Sequence, residues 1–169
     1  MRALVVVVAA LCTPAAVLAA GGHRIDLTSG ELDGHRILGR SVADVTAVLG
    51  KPDFVSGSRR LRRIGWGRPD SFRFAVLFRP VNGSLRARTL VFESGSVRDV
   101  SIGDVLSRTS KALESAIESK YGNKFVLARS YRCRSAGLCT GEFKSTNSNL
   151  HLTFGRTARR GTFLTVWIP

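Results

Sequence analysis

Between Ser41 and Asp53 the apolar residues Val42, Val45, Val48 and Leu49 recur at i, i+3, i+6 and i+7, the spacing of one helical face. Ser41, just ahead of the run, can accept a hydrogen bond from an orphan backbone N–H of the first turn. Asp44 places negative charge near the positive end of the helix dipole. Gly50 and Pro52 stop the run. The pattern predicts a compact helix over 42–49 that must lie on something apolar.

Downstream the period changes to two. Phe72, Phe74, Val76 and Phe78 alternate with other residues and predict a strand over 72–79. Asn82-Gly83 is a hairpin turn signal. Leu85 to Glu93 reads as the return strand, Ser94-Gly95 as another tight turn, and Val97 to Ile102 as a third strand. Three strands joined by short turns predict an antiparallel meander, and the Val42–Leu49 helix is available to cover its apolar face. Ser107 to Gly122 then reads as a longer helix, with Leu113, Ala116, Ile117 and Tyr121 on one face. Glu114 and Glu118 are placed to pair with Lys111 or Lys120 on its solvent side. Strands follow over 125–132, 139–145, 150–154 and 162–168, with Trp167 expected to be buried in the last. The order helix-then-strands thus occurs twice. The expected fold is α+β, an antiparallel sheet covered by helices, in two halves at 37–102 and 103–169. Residues 21–36 show little apolar periodicity and several turn formers, and read as an extended lead-in. His23 and His35 within them are isolated and expected to be exposed.

The N-terminus has another character. Arg2 precedes an apolar run from Ala3 to Leu11, and small residues follow near Ala19 and Ala20, the layout of a cleaved secretory signal over 1–20. The run is short for a membrane span and Pro14 interrupts it. Cys12 follows Leu11, not the small residue that lipoprotein processing prefers. Export to an exterior or periplasmic, oxidising compartment leaves Cys133 and Cys139, an even pair around a short Gly-containing loop, and predicts a disulfide between them. No further Cys or His stands nearby at ligand spacing, so no metal or cofactor is expected.

An apolar fraction of 44% suffices for a core, and 22% charged residues is too few for disorder. The net charge of +14, carried mostly by arginine, makes an anionic partner physically reasonable, because guanidinium forks hold phosphate and carboxylate. The densest charge is Arg59, Arg60, Arg62 and Arg63. As a strand this run would divide between two faces; as a loop it would form one cationic tip. Trp66, between Gly65 and Gly67, is either a core anchor or the hydrophobic centre of a contact patch.

The helix ending in Leu49-Gly-Lys-Pro-Asp53, then Trp66, then Leu90-Val-Phe-Glu-Ser-Gly-Ser-Val97 resembles the bacterial envelope modules grouped with the beta-lactamase inhibitory protein. The likeness covers about residues 38–102. It implies a helix followed by an antiparallel sheet, often in tandem, in a group that includes small lipoproteins of the outer-membrane assembly machinery. Those lipoproteins carry a lipidated cysteine after the signal, which this chain lacks. No residues match the inhibitor's contact loops, so no binding residues follow from the likeness.

These readings predict a secreted or periplasmic binding module that recognises an envelope protein or an anionic polymer, with nucleic acid a less favoured partner. Arg59, Arg60, Arg62, Arg63 and Trp66 are its candidate contacts. The catalytic alternative is a small basic secreted ribonuclease. It would need a carboxylate base, a histidine acid and phosphate-binding arginines, and Glu142, His151, Arg156, Arg159 and Arg160 supply those types. Strand parity leaves open that Glu142 and His151 fall on opposite faces. No Ser-His-Asp, zinc or nucleotide-binding signature is present.

Overall fold

The computed structural model describes residues 23–67, 74–93, 97–108, 110–133, 137–157 and 161–169. The predicted signal over 1–20 lies outside them, as do Arg159 and Arg160.

The lead-in is more than an extended approach. It forms strands β1 (His23–Asp26), β2 (Glu31–Leu32) and β3 (His35–Arg36), and Ile25, Leu27 and Leu32 are fully buried. Three apolar residues split by a turn are too few to register as periodicity, yet they suffice to anchor short strands. His23, expected to be exposed, is half-buried: its ring centroid lies 5.0 Å from that of Phe74 and its Nδ1 hydrogen-bonds Asp33 Oδ2 at 2.8 Å. His35 is exposed as expected.

Helix α1 (Val42–Leu49) follows the sequence signals closely. The Asp44 N–H donates to Ser41 Oγ at 3.2 Å, and the Ser41 N–H donates back to the Asp44 carboxylate at 3.2 Å, a complete capping box. Val45 is buried and Val42 and Leu49 are partly so, but Val48 is 42% exposed. At about 100° per residue Val48 stands roughly 120° around the helix from Val42, off the stripe that the other three share. The helix lies against a strand through backbone bonds just before it: the Gly39 N–H donates to Ala87 O, and the Ala87 N–H donates to Arg40 O, each at 2.8 Å.

Four strands follow α1: β4 (Phe54–Gly57), β5 (Arg62–Trp66), β6 (Phe74–Val81) and β7 (Ser84–Phe92). Asn82 and Gly83, with φ of 48° and 78°, make the predicted hairpin between β6 and β7. The third strand of the predicted meander goes elsewhere. β8 (Val97–Asp99) runs parallel to β1 and antiparallel to β9 (Gly103–Asp104), in a five-stranded sheet ordered β3-β2-β1-β8-β9. Asp99 holds it there: its carboxylate accepts the Leu27 N–H from beyond β1 and the Ser101 and Ile102 N–H groups of its own turn.

Helix α2 (Ser110–Tyr121) begins three residues later than the sequence suggests and buries Leu113, Ile117 and Tyr121. Glu114 does not pair with lysine; its carboxylate accepts the Tyr131 N–H at 2.9 Å. β10 (Phe125–Cys133), β11 (Cys139–Ser145), β12 (His151–Thr157) and β13 (Gly161–Trp167) complete the chain. Cys133 and Cys139 form the predicted disulfide, directly across the β10–β11 ladder.

The eight long strands make one antiparallel sheet in the order β10-β11-β12-β13-β7-β6-β5-β4. Both helices and the small sheet lie on one face. There Phe74, Phe78, Phe92, Phe143 and Phe154, all fully buried, share a core with Val45, Leu113 and Ile117. Each such ring contributes on the order of 1.5–3 kcal/mol by leaving water. The architecture is α+β and predominantly β. Among the described residues no helix is long and apolar enough to cross a membrane.

Candidate functional site

Successive strand residues face opposite ways, so the registers define what stands on the side away from the helices. One row of paired residues crosses all eight strands: Arg129, Glu142, Thr153, Thr165, Val91, Ala75, Gly65 and Phe54. Beside it run Val126, Lys144, His151, Trp167, Thr89, Leu77, Arg63 and Ser56. A third, shorter row holds Arg132, Thr140, Gly155 and Phe163. Ala75, Val91, Gly65 and Gly155 are buried on this face, while Arg129, Val126, Lys144, Arg132 and Ser56 are exposed and the remaining residues are half-buried. This face is a mixture of threonines, aromatic rings and charges, with the composition of a contact surface and not of a packed layer. Two glycines let aromatic rings lie down on it. A Cβ at Gly65 would fall on the Phe54 ring, and one at Gly155 would meet Cys139 O and the Phe163 ring.

Toward the β10 edge of the face, on β11 and β12, Glu142 and His151 meet. His151 Nδ1 and Glu142 Oε1 hydrogen-bond at 3.1 Å, diagonally across β11 and β12, with both side chains mostly buried. The imidazole stacks on Trp167 at a centroid distance of 4.2 Å, and the indole N–H donates to Thr153 Oγ1 at 3.0 Å. Trp167 is therefore half-buried on the open face, where it supports His151, and not in the core. Two of the residues proposed for ribonuclease chemistry are thus brought together. Arg156 is not: it pairs with Cys139 and Thr162, has the opposite parity and is exposed. Among the described residues, cations that share the face include Arg129, Arg132, Lys144 and Arg63, with Arg79 two residues beyond Leu77 on β6.

The arginine run divides instead of converging. Arg59 and Arg60 are exposed in the loop between β4 and β5. Arg62 and Arg63 are half-buried neighbours on β5, so they point to opposite faces. Arg63 donates to both oxygens of Glu93 at 3.5 Å. Trp66 stacks on Phe74 with centroids 5.4 Å apart, and its N–H donates to Gly50 O at 3.3 Å, closing the end of α1. That position is the core-anchor half of the sequence alternative.

Arg129, Arg132 and Lys144 are absent from the sequence reading. Arg129 and Arg132 are three apart, and an unbroken strand would turn them to opposite faces. The register shift at 129/132 brings them to the same one, and the shift at 127/129 turns Arg129 from the facing of Leu127 to that of Glu142. Nothing in the residue pattern marks a bulge there. Among the described residues no group of three or more His, Cys, Asp or Glu side chains is placed to hold a metal ion. No family model, curated protein or solved structure matches the chain.

Proposed function

We propose that the chain is an exported, non-catalytic binding module of a bacterial envelope, built from two halves of one helix and four strands, whose ligand is an anionic polymer. The observation that carries this reading is the face of the eight-stranded sheet turned away from the helices, whose β10–β11 end exposes Arg129, Arg132 and Lys144. It offers hydroxyls, aromatic rings and the cations Arg129, Arg132 and Lys144, while both helices occupy the opposite side. The net charge of +14 favours a polyanion over a neutral or basic partner. The leader-like N-terminus and the Cys133–Cys139 disulfide agree with an oxidising compartment. Arg59 and Arg60, at an exposed loop on the rim, extend the cationic surface past the sheet edge.

The test is titration of the mature protein carrying Trp66→Phe, in which Trp167 alone fluoresces, with polyglycerol phosphate, and with neutral dextran as control. The expected result is saturable binding to the polyanion alone. Binding should weaken at high salt and fall further when Arg59, Arg60, Arg62 and Arg63 are replaced by Ser. Equal response to dextran, or none to either polymer, refutes the reading.

The ribonuclease alternative keeps one observation in its favour, the Glu142–His151 hydrogen bond on a face that also holds Arg129. It is settled by incubating wild-type protein and the His151→Ala variant with RNA. Cleavage lost on substitution supports it; no cleavage, or cleavage that survives, removes it.

A further inference from the structure

We infer that the doubly bulged edge strand β10 carries a binding site for a phosphate group, formed by the guanidinium forks of Arg129 and Arg132 with the hydroxyls of Ser130 and Thr140. The inference deepens the proposed binding function, because it names the chemical group held and the residues that hold it.

Four observations lead to it. The second bulge turns Arg129 and Arg132 to one face, opposite Glu142 and Thr140 of β11. Those partners are two residues apart, so the arginines stand about 7 Å from each other along the strand, a separation two long forks can close on one tetrahedral oxyanion. Together with Ala128, Ser130, Cys133 and Thr140 they line an open hollow of about 570 Å³. No carboxylate lines that hollow, and neither arginine is engaged in a salt bridge among the described residues. The nearest acidic group by register, Glu142, is occupied by His151.

The hollow is also held in shape. The Cys133–Cys139 disulfide closes the ladder one residue beyond Arg132. From the helix side, Glu114 accepts the Tyr131 N–H and the Tyr131 ring stacks on Phe154 at 6.3 Å, which fixes the second bulge. Bulges and charges also protect an edge strand from pairing with another chain. Edge protection alone, however, does not require two arginines on one face beside two hydroxyls.

The experiment follows the arginine Nε–H resonances of the mature protein, with its disulfide intact, while inorganic phosphate is added against sodium chloride at matched ionic strength. Two oxyanion sources are then compared, polyglycerol phosphate and a short single-stranded RNA. The expected result is a saturable shift confined to Arg129 and Arg132, with polymer affinity reduced tenfold or more by Arg129→Ser/Arg132→Ser. Arg129→Lys/Arg132→Lys should recover only part of it, because ammonium groups keep the charge and lose the fork. An unchanged thermal midpoint shows that the variants fold. If phosphate leaves both resonances unmoved, or the Ser variant binds polymer as wild type does, the inference is overturned. The outcomes separate it from the broader reading. Polymer binding that depends on Arg59 and Arg60 alone refutes the β10 site and keeps the binding function. Phosphate bound at β10 with no affinity for either polymer keeps the site and refutes the polymer reading.

Discussion

Asp99 is 4% exposed and accepts four hydrogen bonds, from the N–H groups of Leu27, Ser101 and Ile102 and from the Tyr121 hydroxyl at 2.6 Å. It joins β1, its own turn and the end of α2 through one carboxylate. Replacing it by Ala leaves buried donors without acceptors, at about 2–4 kcal/mol, readable as a lower urea midpoint at unchanged slope. Burial, with the Asp99 carboxylate beside it, holds the Tyr121 hydroxyl well above the usual phenol range. A folded-state value raised above the unfolded 10.0 means that this contribution is complete below pH 10.0 and is lost as pH rises through the higher folded value. Urea midpoints should therefore begin to fall above pH 10 from this source, and Tyr121→Phe should flatten that part of the profile. Gly65 is a second such residue: Gly65→Ala places a methyl group in the Phe54 ring and should cost about 1–3 kcal/mol. Most of that cost should vanish when Phe54 is also replaced by Ala, a non-additivity that a double-mutant cycle measures directly.

At the scale of elements, the β10–β11 hairpin depends on its cross-link. Closing a loop of this length removes unfolded-chain entropy worth about 2 kcal/mol, so Cys133→Ser/Cys139→Ser should lower stability by that amount in thermal melts. It should also broaden the β10 amide resonances, because the bulged strand lies at the sheet edge. The same hairpin shows where residue patterns stop being informative. Helix α1 was legible because capping, periodicity and stop signals lie within a few residues of one another. The disulfide was legible from the leader-like N-terminus and the even count of cysteines after it. The facing of Arg129 and Arg132 was not, since a bulge changes parity without changing composition. The destination of β8 was equally hidden. Its partner β1 lies more than seventy residues away, and what holds it is a buried Asp, which in sequence reads as an ordinary turn residue. Glu142 and His151 sit at the limit of legibility: both types were visible, but their common face follows only from the β11–β12 register.

In the whole molecule, β4 to β7 and β10 to β13 are two meanders of four strands in chain order, each preceded by a helix, and they meet edge to edge at β7 and β13. An Asp-x-x-x-Gly turn comes before each helix, its Asp half-buried in the first and buried in the second. Asp26 and Asp99 each accept the N–H groups two and three residues on, and Gly30 and Gly103 follow at φ of 70° and 74°. Two such halves can fold independently or as one body, and the seam decides between them. The joint consists of four residue pairs, from Leu164 opposite Phe92 to Trp167 opposite Thr89. Leu164, Val166, Leu90 and Phe92 are all fully buried there, in the core shared by both helices. A seam whose core side is fully buried lets neither half lose its structure alone, because the survivor would expose the core face of an edge strand. Unfolding is therefore expected to be a single transition. Trp66 reports on the first half and Trp167 on the second, so single-tryptophan proteins carrying Trp167→Phe or Trp66→Phe isolate each signal. Their urea curves should superimpose after correction for each substitution's own cost. Leu164→Ala, costing about 2–5 kcal/mol at the seam, should shift both by the same amount. Curves that separate, or a Leu164→Ala shift seen by Trp167 alone, would show that the halves are independent domains joined by an incidental ladder.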